Sequence, residues 1–209
     1  MTGYFVTGTD TNVGKTVLSA LLVAALRAIY WKPVQTGTIE GTDRDSVRRW
    51  TEAEEDRLPP ERYRFEPPVS PHLAAREAGV RIGLDNFAFP AAPIGPRWVV
   101  EGAGGVLVPL NESDLTSDLI RRIGFPVIVA ARTSLGTINH TLLTLGALRT
   151  ANLPICGVAL IGEENIENRR AIEHYGQVPV VGRIPMLQEI NRANLLEAYE
   201  KHFDHRAFE

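Results

Sequence analysis

Lys15 and Thr16 follow directly on Gly14 in the run Gly8-Thr9-Asp10-Thr11-Asn12-Val13-Gly14-Lys15-Thr16. These residue types in this order suit one task, the holding of phosphate groups. Glycines let the backbone approach phosphate oxygens closely. Free N–H groups at the start of a following helix attract the anion. The Lys15 ammonium can reach the outer phosphates, and the Thr16 hydroxyl can ligate Mg²⁺. Gly8 lies seven residues before Lys15, so the loop is one residue longer than the simplest form of the pattern G-x-x-x-x-G-K-[ST]. A chance Gly/Thr/Asp turn that contains a lysine is the alternative. The flanking sequence argues against it. Tyr4-Phe5-Val6 reads as a strand before the loop and the apolar run 17–26 as a helix after it, which is the context such a loop requires.

Two further runs carry charge to the end of a strand. In Trp98-Val99-Val100-Glu101-Gly102-Ala103-Gly104-Gly105 an apolar strand ends in a carboxylate and turns on glycine. Beside a phosphate loop, an acid so placed can bind the Mg²⁺ of a nucleotide. Lys32-Pro33-Val34-Gln35-Thr36-Gly37 ends another strand, which Pro33 confines to a sheet edge or strand end. Lys32 there could hold a substrate anion or neutralise a transferring phosphoryl group, or simply be a solvated edge lysine. Asp43, Arg44 and Asp45 open a polar helix. One of these carboxylates could reach a metal, or the group could be an ordinary helix cap. Gly136-Thr137-Ile138-Asn139-His140 opens another helix whose N–H groups could bind a carboxylate, and Ser70-Pro71-His72 ends a proline-rich loop. For both, capping is the simpler reading. His174, His202 and His205 match no metal-ligand spacing.

Short apolar runs alternate with longer helical ones. Strands are expected at 4–6, 29–34, 98–100, 126–131, 155–161 and 180–184, and helices at 15–27, 45–55, 72–78, 113–122, 138–150, 165–174 and 189–201. The strands are apolar almost throughout, as in a parallel sheet buried on both faces. The expected architecture is α/β, a doubly wound, mostly parallel sheet of the phosphate-loop nucleoside triphosphatase type, in one domain over 1–209, with ligands at the carboxyl ends of strands. The proline-rich stretches 58–71 and 89–96 read as internal loops.

The 209 residues are 44% hydrophobic and 22% charged, enough for a sizeable core, with a net charge of -3. No basic excess points to nucleic acid or an anionic membrane. No apolar stretch is long enough to span a bilayer, and no secretory signal is visible. Cys156 has no partner for an internal disulfide, which fits a reducing, cytoplasmic setting.

The motifs together resemble the dethiobiotin synthetase family. The resemblance runs through Val6-Thr7-Gly8-Thr9-Asp10-Thr11 and Gly14-Lys15-Thr16, Lys32-Pro33-Val34 with Thr36-Gly37, Ser70-Pro71-His72, Val100-Glu101-Gly102-Ala103-Gly104-Gly105, Leu135-Gly136 with Ile138-Asn139-His140, and Gly182 with Ile184-Pro185. It implies an ATP-dependent ligase that converts 7,8-diaminononanoate and CO₂ to dethiobiotin through a carbamate and a carbamic–phosphoric mixed anhydride. By resemblance Lys15, Lys32 and Thr11 are catalytic, and Thr16, Asp45 and Glu101 hold Mg²⁺. The nucleotide would meet Asn12, Val13, Gly14, Lys15, Thr16, Val17, Glu101, Gly102, Ala103 and Gly104, with Pro185, Met186 and Leu187 near the base. Thr36 would bind the carbamate. The resemblance also implies a homodimer in which Gly136, Thr137, Ile138 and Asn139 bind the substrate carboxylate of the partner's site.

Two positions depart from the family pattern. Asn12 stands where some members carry Glu. Ile161 and Gly162 stand where many carry Asn-Asp, whose Asn reads adenine; an isoleucine makes no such hydrogen bond. Looser discrimination among nucleoside triphosphates is therefore expected. A positioning-type switch ATPase of the same fold is the competing reading. It calls for a second lysine early in the loop, where this chain has Thr9, Asp10 and Thr11. A corrinoid amidotransferase would need a further glutaminase domain.

Overall fold

The structure is a computed structural model that describes residues 1–93 and 95–209; Ile94, inside the stretch 89–96 read as a loop, lies outside them. Eight strands occur among the described residues: β1 (Gly3–Gly8), β2 (Ile29–Trp31), β3 (Val34–Thr36), β4 (Tyr63–Phe65), β5 (Trp98–Gly105), β6 (Val127–Arg132), β7 (Ile155–Ile161) and β8 (Val180–Ile184). The helices are α1 (Lys15–Leu26), α2 (Asp43–Thr51), α3 (Pro71–Glu77), α4 (Thr116–Ile123), α5 (Thr137–Thr150), α6 (Ile166–Gly176) and α7 (Arg192–His202). Six strands form one sheet in the order β2-β5-β1-β6-β7-β8, and every pairing in it is parallel.

Alternation along the strands explains why both faces are covered. Phe5, Trp98, Val100, Val127, Val129 and Val158 enter one core, against α4, α5 and α6. Tyr4, Val6, Val99, Ile128, Ala130 and Ala159 enter the other, against α1, α2 and α7. A parallel strand buried on both sides must be apolar at successive positions, as these are. Leu18, Leu21 and Leu22 of α1 are fully buried. Each is worth about 1.5–3 kcal/mol of burial, so α1 is firmly anchored and its N-terminus is a rigid platform. The chain leaves β1 towards β2 on one side, while the later β5 passes β1 to reach β6 on the other. The connections therefore diverge about β1, and the crevice at its carboxyl end is the expected ligand site of such a sheet.

Three expectations are corrected. The segment 29–34 is two strands, because Pro33 has no N–H to continue the ladder. After it the chain turns away, and β3 pairs with β4 in a separate parallel two-stranded sheet. The Pro33 carbonyl accepts from the N–H groups of Arg62 and Tyr63 at 2.9 and 3.0 Å. Second, 58–71 is not all loop, since its prolines flank the Tyr63-Arg64-Phe65 strand. Third, β5 continues through its glycines to Gly105, which pairs with Gly8. A side chain at Gly102 would have its Cβ 3.0 Å from the Phe5 ring. Glycine here marks close approach rather than a turn, and Glu101 consequently lies inside a strand, opposite Val6.

Candidate functional site

The loop between β1 and α1 ends at Gly14, the N-cap of α1, in the left-handed region with φ 96°. Only glycine takes that conformation without cost. The Lys15 side chain folds back across the loop and donates to the Asp10 carbonyl at 2.8 Å. Arg132, at the carboxyl end of β6, braces the loop from the other side, donating to the carbonyls of Asn12 at 3.2 Å and Thr11 at 3.4 Å.

Strand periodicity assembles the rest. Tyr30 pairs with Val99 and Trp31 with Val100, so Tyr30, Lys32, Val99 and Glu101 share the sheet face that carries α1. Glu101 is completely buried. Its Oε1 accepts from the Thr16 hydroxyl at 2.9 Å and from Lys32 Nζ at 3.1 Å, and its Oε2 accepts from the Tyr30 hydroxyl at 3.0 Å. Lys32 also pairs closely with Asp43. Burial alone would lower the Lys32 pKa, but the Glu101 and Asp43 carboxylates outweigh it and hold the ammonium above its ordinary value. Lys15 goes the other way, lowered by burial and by its Lys32 neighbour against the pull of Glu101. Tyr30 is pushed well above its ordinary value by burial and by the Glu101 carboxylate, so its hydroxyl keeps its proton and donates.

Lys15, Thr16, Lys32, Asp43 and Glu101 border a cavity of about 870 Å³, with Tyr30 behind them in the core. Thr11, Asn12, Gly14, Val17 and Thr36 line it with Lys15, Thr16, Lys32 and Glu101, and Ala103 and Gly104 close one side. Val13 is buried behind the loop and Gly102 packs on Phe5, so neither faces the cavity.

The two aspartates of α2 separate cleanly. The helix starts at Asp43, two residues earlier than expected, because Thr42 caps it. Asp45 Oδ2 accepts from Thr42 N at 3.0 Å and from Thr42 Oγ1 at 2.7 Å, and the Thr42 hydroxyl accepts from Asp45 N at 3.1 Å. This capping box points Asp45 away from the cavity, and Asp43 is the aspartate that lines it. The hydrogen bonds from Thr42 hold the Asp45 carboxyl below its ordinary value.

Gly136, Thr137, Ile138 and Asn139 open α5 outside this cavity. Thr137 Oγ1 donates to the Arg132 carbonyl at 2.5 Å, and Leu135 beside it is fully exposed. Pro185, Met186 and Leu187 line a second cavity of about 290 Å³ after β8. A third, of about 420 Å³, lies between the ends of β6 and β7 and is bordered by Arg132, Thr133, Ile161, Gly162 and Met186. Ile161 packs on the phosphate loop, since a Cβ on Gly14 would lie 3.1 Å from it. Gly162 has φ 131°, and a Cβ there would meet Thr133 Oγ1 at 2.5 Å. A side chain at this point would be strained and would have to displace the Thr133 hydroxyl.

Sequence reading did not single out Tyr30 or Arg132; it left Asp43 and Asp45 undivided on the residues alone and took Asp45 by resemblance, whereas Asp43 is the one that lines the cavity. The signal for Tyr30 was present in the period of two, since it stands two residues before Lys32 on the same strand face.

The AAA domain family model matches residues 2–194. An ATP-dependent dethiobiotin synthetase BioD of Rhodopseudomonas palustris (strain HaA2) is 50% identical over 199 residues, covering 95% of this chain and 92% of its own. The protein of the same description from Brucella melitensis biotype 2 is 47% identical over 198 residues, with the same coverage of both chains. Among solved structures, a ParA family ATPase from Chlorobium tepidum TLS superposes with a TM-score of 0.51 at 12% identity, over 95% of this chain and 90% of that one, a likeness of fold alone. Phosphate loop, buried acid and strand-end lysine thus stand in a chain that shares half its residues with such enzymes along almost its whole length, and it belongs to the ATP-dependent dethiobiotin synthetase family.

Proposed function

We propose that this protein carries out ATP-dependent carboxylation and ring closure of 7,8-diaminononanoate with CO₂ to give dethiobiotin, ADP and phosphate. The observation that carries the reading is the convergence of Thr16, Lys32 and Asp43 about the buried Glu101, at the mouth of the phosphate loop. One substrate amine adds to CO₂ and loses a proton to form a carbamate. A carbamate oxygen attacks the γ-phosphorus and the bond to the β,γ-bridging oxygen breaks, leaving ADP and a carbamic–phosphoric anhydride. The second amine then attacks the carbamoyl carbon, phosphate leaves with the carbamate oxygen, and the ureido ring closes.

Carbamate and triphosphate are both anions, so the barrier falls only where positive charge is held between them. Lys15 serves the β- and γ-oxygens, and Lys32 serves the transferring phosphoryl group and the carbamate. The N–H groups at the start of α1 add their dipoles. Thr11 and Thr36, which both line the cavity, would hold the carbamate.

The donor set also fits Mg²⁺. A hydroxyl and two carboxylates, all oxygen, are what a hard cation takes beside substrate phosphates. Thr16, Glu101 and Asp43 would hold it, Asp43 replacing Asp45 because Asp45 is engaged in the cap. Mg²⁺ held by these residues would supply positive charge to offset that of the phosphate groups. The exposed Leu135 and Leu143 on and beside α5 suit a homodimer contact that would bring Gly136–Asn139 to a partner's substrate. No helix among the described residues is long and apolar enough to cross a membrane, and we place the reaction in the cytoplasm.

The test is to incubate the protein with 7,8-diaminononanoate, bicarbonate, MgCl₂ and ATP and to follow phosphate and dethiobiotin by mass. Phosphate release that requires the diamine, with matching dethiobiotin, is expected. Hydrolysis indifferent to the diamine would favour a switch ATPase instead.

A further inference from the structure

We propose that Tyr30 is a positioning residue that fixes Glu101 as a one-oxygen metal ligand. The proposal rests on the reading of Glu101 as a ligand of the nucleotide's Mg²⁺. A carboxylate has two oxygens and a freely turning side chain, and a Mg²⁺ site needs near-octahedral order. Here the two oxygens are divided. Oε1 faces Thr16 and Lys32, where the phosphates and the metal would lie. Oε2 points into the core and takes the Tyr30 hydroxyl at 3.0 Å.

Tyr30 is itself immobile. It is fully buried, in the cluster formed with α1 and α2, and its backbone is paired to Val99 of β5. Its hydroxyl meets the carboxylate on the inner side of the strand face that carries Lys32. An apolar residue at position 30 would pack equally well but would leave Oε2 without a donor in a dry core, an arrangement costly enough to turn the carboxylate or draw water to it. Partners behind a ligand typically govern metal affinity by about 10–100-fold. Tyr30 fills that place for Glu101.

The experiment uses Mn²⁺ as the probe. Free Mn²⁺ is counted by electron paramagnetic resonance in titrations of the ADP complex of wild type, Tyr30→Phe and Glu101→Gln, with ADP affinity in EDTA and melting temperature measured alongside. Tyr30→Phe is expected to weaken Mn²⁺ binding by roughly 10–100-fold, with metal-free ADP affinity unchanged. A loss smaller than about fivefold would overturn the proposal, being below that range. Glu101→Gln separates the two levels. If it binds Mn²⁺ like wild type, the metal reading of Glu101 fails. If it loses Mn²⁺ while Tyr30→Phe does not, only the role of Tyr30 fails. Should Tyr30→Phe not fold, wild type grown with 3-fluorotyrosine gives a second reading. One of its five tyrosine resonances is expected to move when Mg²⁺ is added to the ADP complex, and no movement would refute the proposal.

Discussion

The carboxyl ends of β1, β2 and β5 and those of β6, β7 and β8 form two halves of one crevice, built on opposite plans. The first half crowds charge into the protein interior. Glu101 is completely buried and Lys15 and Lys32 are nearly so; Glu101 and Lys32 are held by each other across 69 residues of sequence, and Lys15 by the Asp10 carbonyl of its own loop. The second half sets Ile161 and Gly162 at a cavity of about 420 Å³ whose charged groups, Arg132, Glu163 and Glu164, lie exposed at the surface rather than buried and paired. Buried charges are tolerated only when paired and hydrogen-bonded, so the first half is geometrically demanding. The second makes few demands on what enters it. Phosphoryl chemistry needs the first plan, whereas a base that merely anchors the nucleotide can be served by the second.

The contrast predicts a gradient of effects. Removing Lys15 strikes the first half most directly. Lys15→Ala should lower kcat/KM for ATP by about 10²–10³-fold or more, and activity within tenfold of wild type would argue that the loop is not the phosphate site. The α2 aspartates come next. Asp43→Asn, which removes a residue placed to hold the ion itself, should weaken Mn²⁺ binding to the ADP complex by about 100-fold or more, at least as much as losing a partner behind a ligand, while Asp45→Asn should change it by less than about threefold. The opposite order would restore Asp45 as the ligand.

The second half should respond less. Turnover constants for ATP and for at least one of GTP or CTP should be comparable, and Ile161→Asn should raise the preference for ATP by about 10-fold or more, since an amide can read a base edge and isoleucine cannot. A thousandfold ATP preference in the wild type would remove the distinction between the halves. The smallest effect is on stability. Thr42→Ala should cost about 0.5–2 kcal/mol at neutral pH. The Asp45 carboxyl is depressed by its Thr42 hydrogen bonds, so its contribution is present above the ordinary carboxyl pKa of about 3.9 and lost as pH falls through the lower native value. The gap between wild type and Thr42→Ala, read by urea unfolding, should narrow in acid without closing, because Thr42 Oγ1 still accepts from Asp45 N.

The same two plans explain what was legible in the sequence. Local patterns carried most of the fold, since β7 and β8 have the expected bounds and each expected helix is present within a few residues. The phosphate loop was legible because its chemistry is contiguous. Lys32 and Glu101 were visible as charges ending apolar runs. Tyr30 was not, because a tyrosine in an apolar strand looks like core until the register with β5 sets its hydroxyl on Glu101. Asp43 and Asp45 lie two residues apart on a polar helix, and only the Thr42 cap geometry separates them. The strand β4 was hidden among prolines because its partner, β3, is itself set off by Pro33. Arg132 is exposed and became notable only once the loop carbonyls stood beside it.

The central claim is that the charged half of the crevice drives phosphoryl transfer from ATP to a carbamate. Its most direct test is oxygen transfer. The protein would be given 7,8-diaminononanoate, MgCl₂, ATP and freshly dissolved ¹⁸O-labelled CO₂, and the phosphate released at early times analysed by mass. One ¹⁸O atom in each phosphate formed is predicted, because a carbamate oxygen leaves with the phosphoryl group. Unlabelled phosphate alongside dethiobiotin formation would contradict the account.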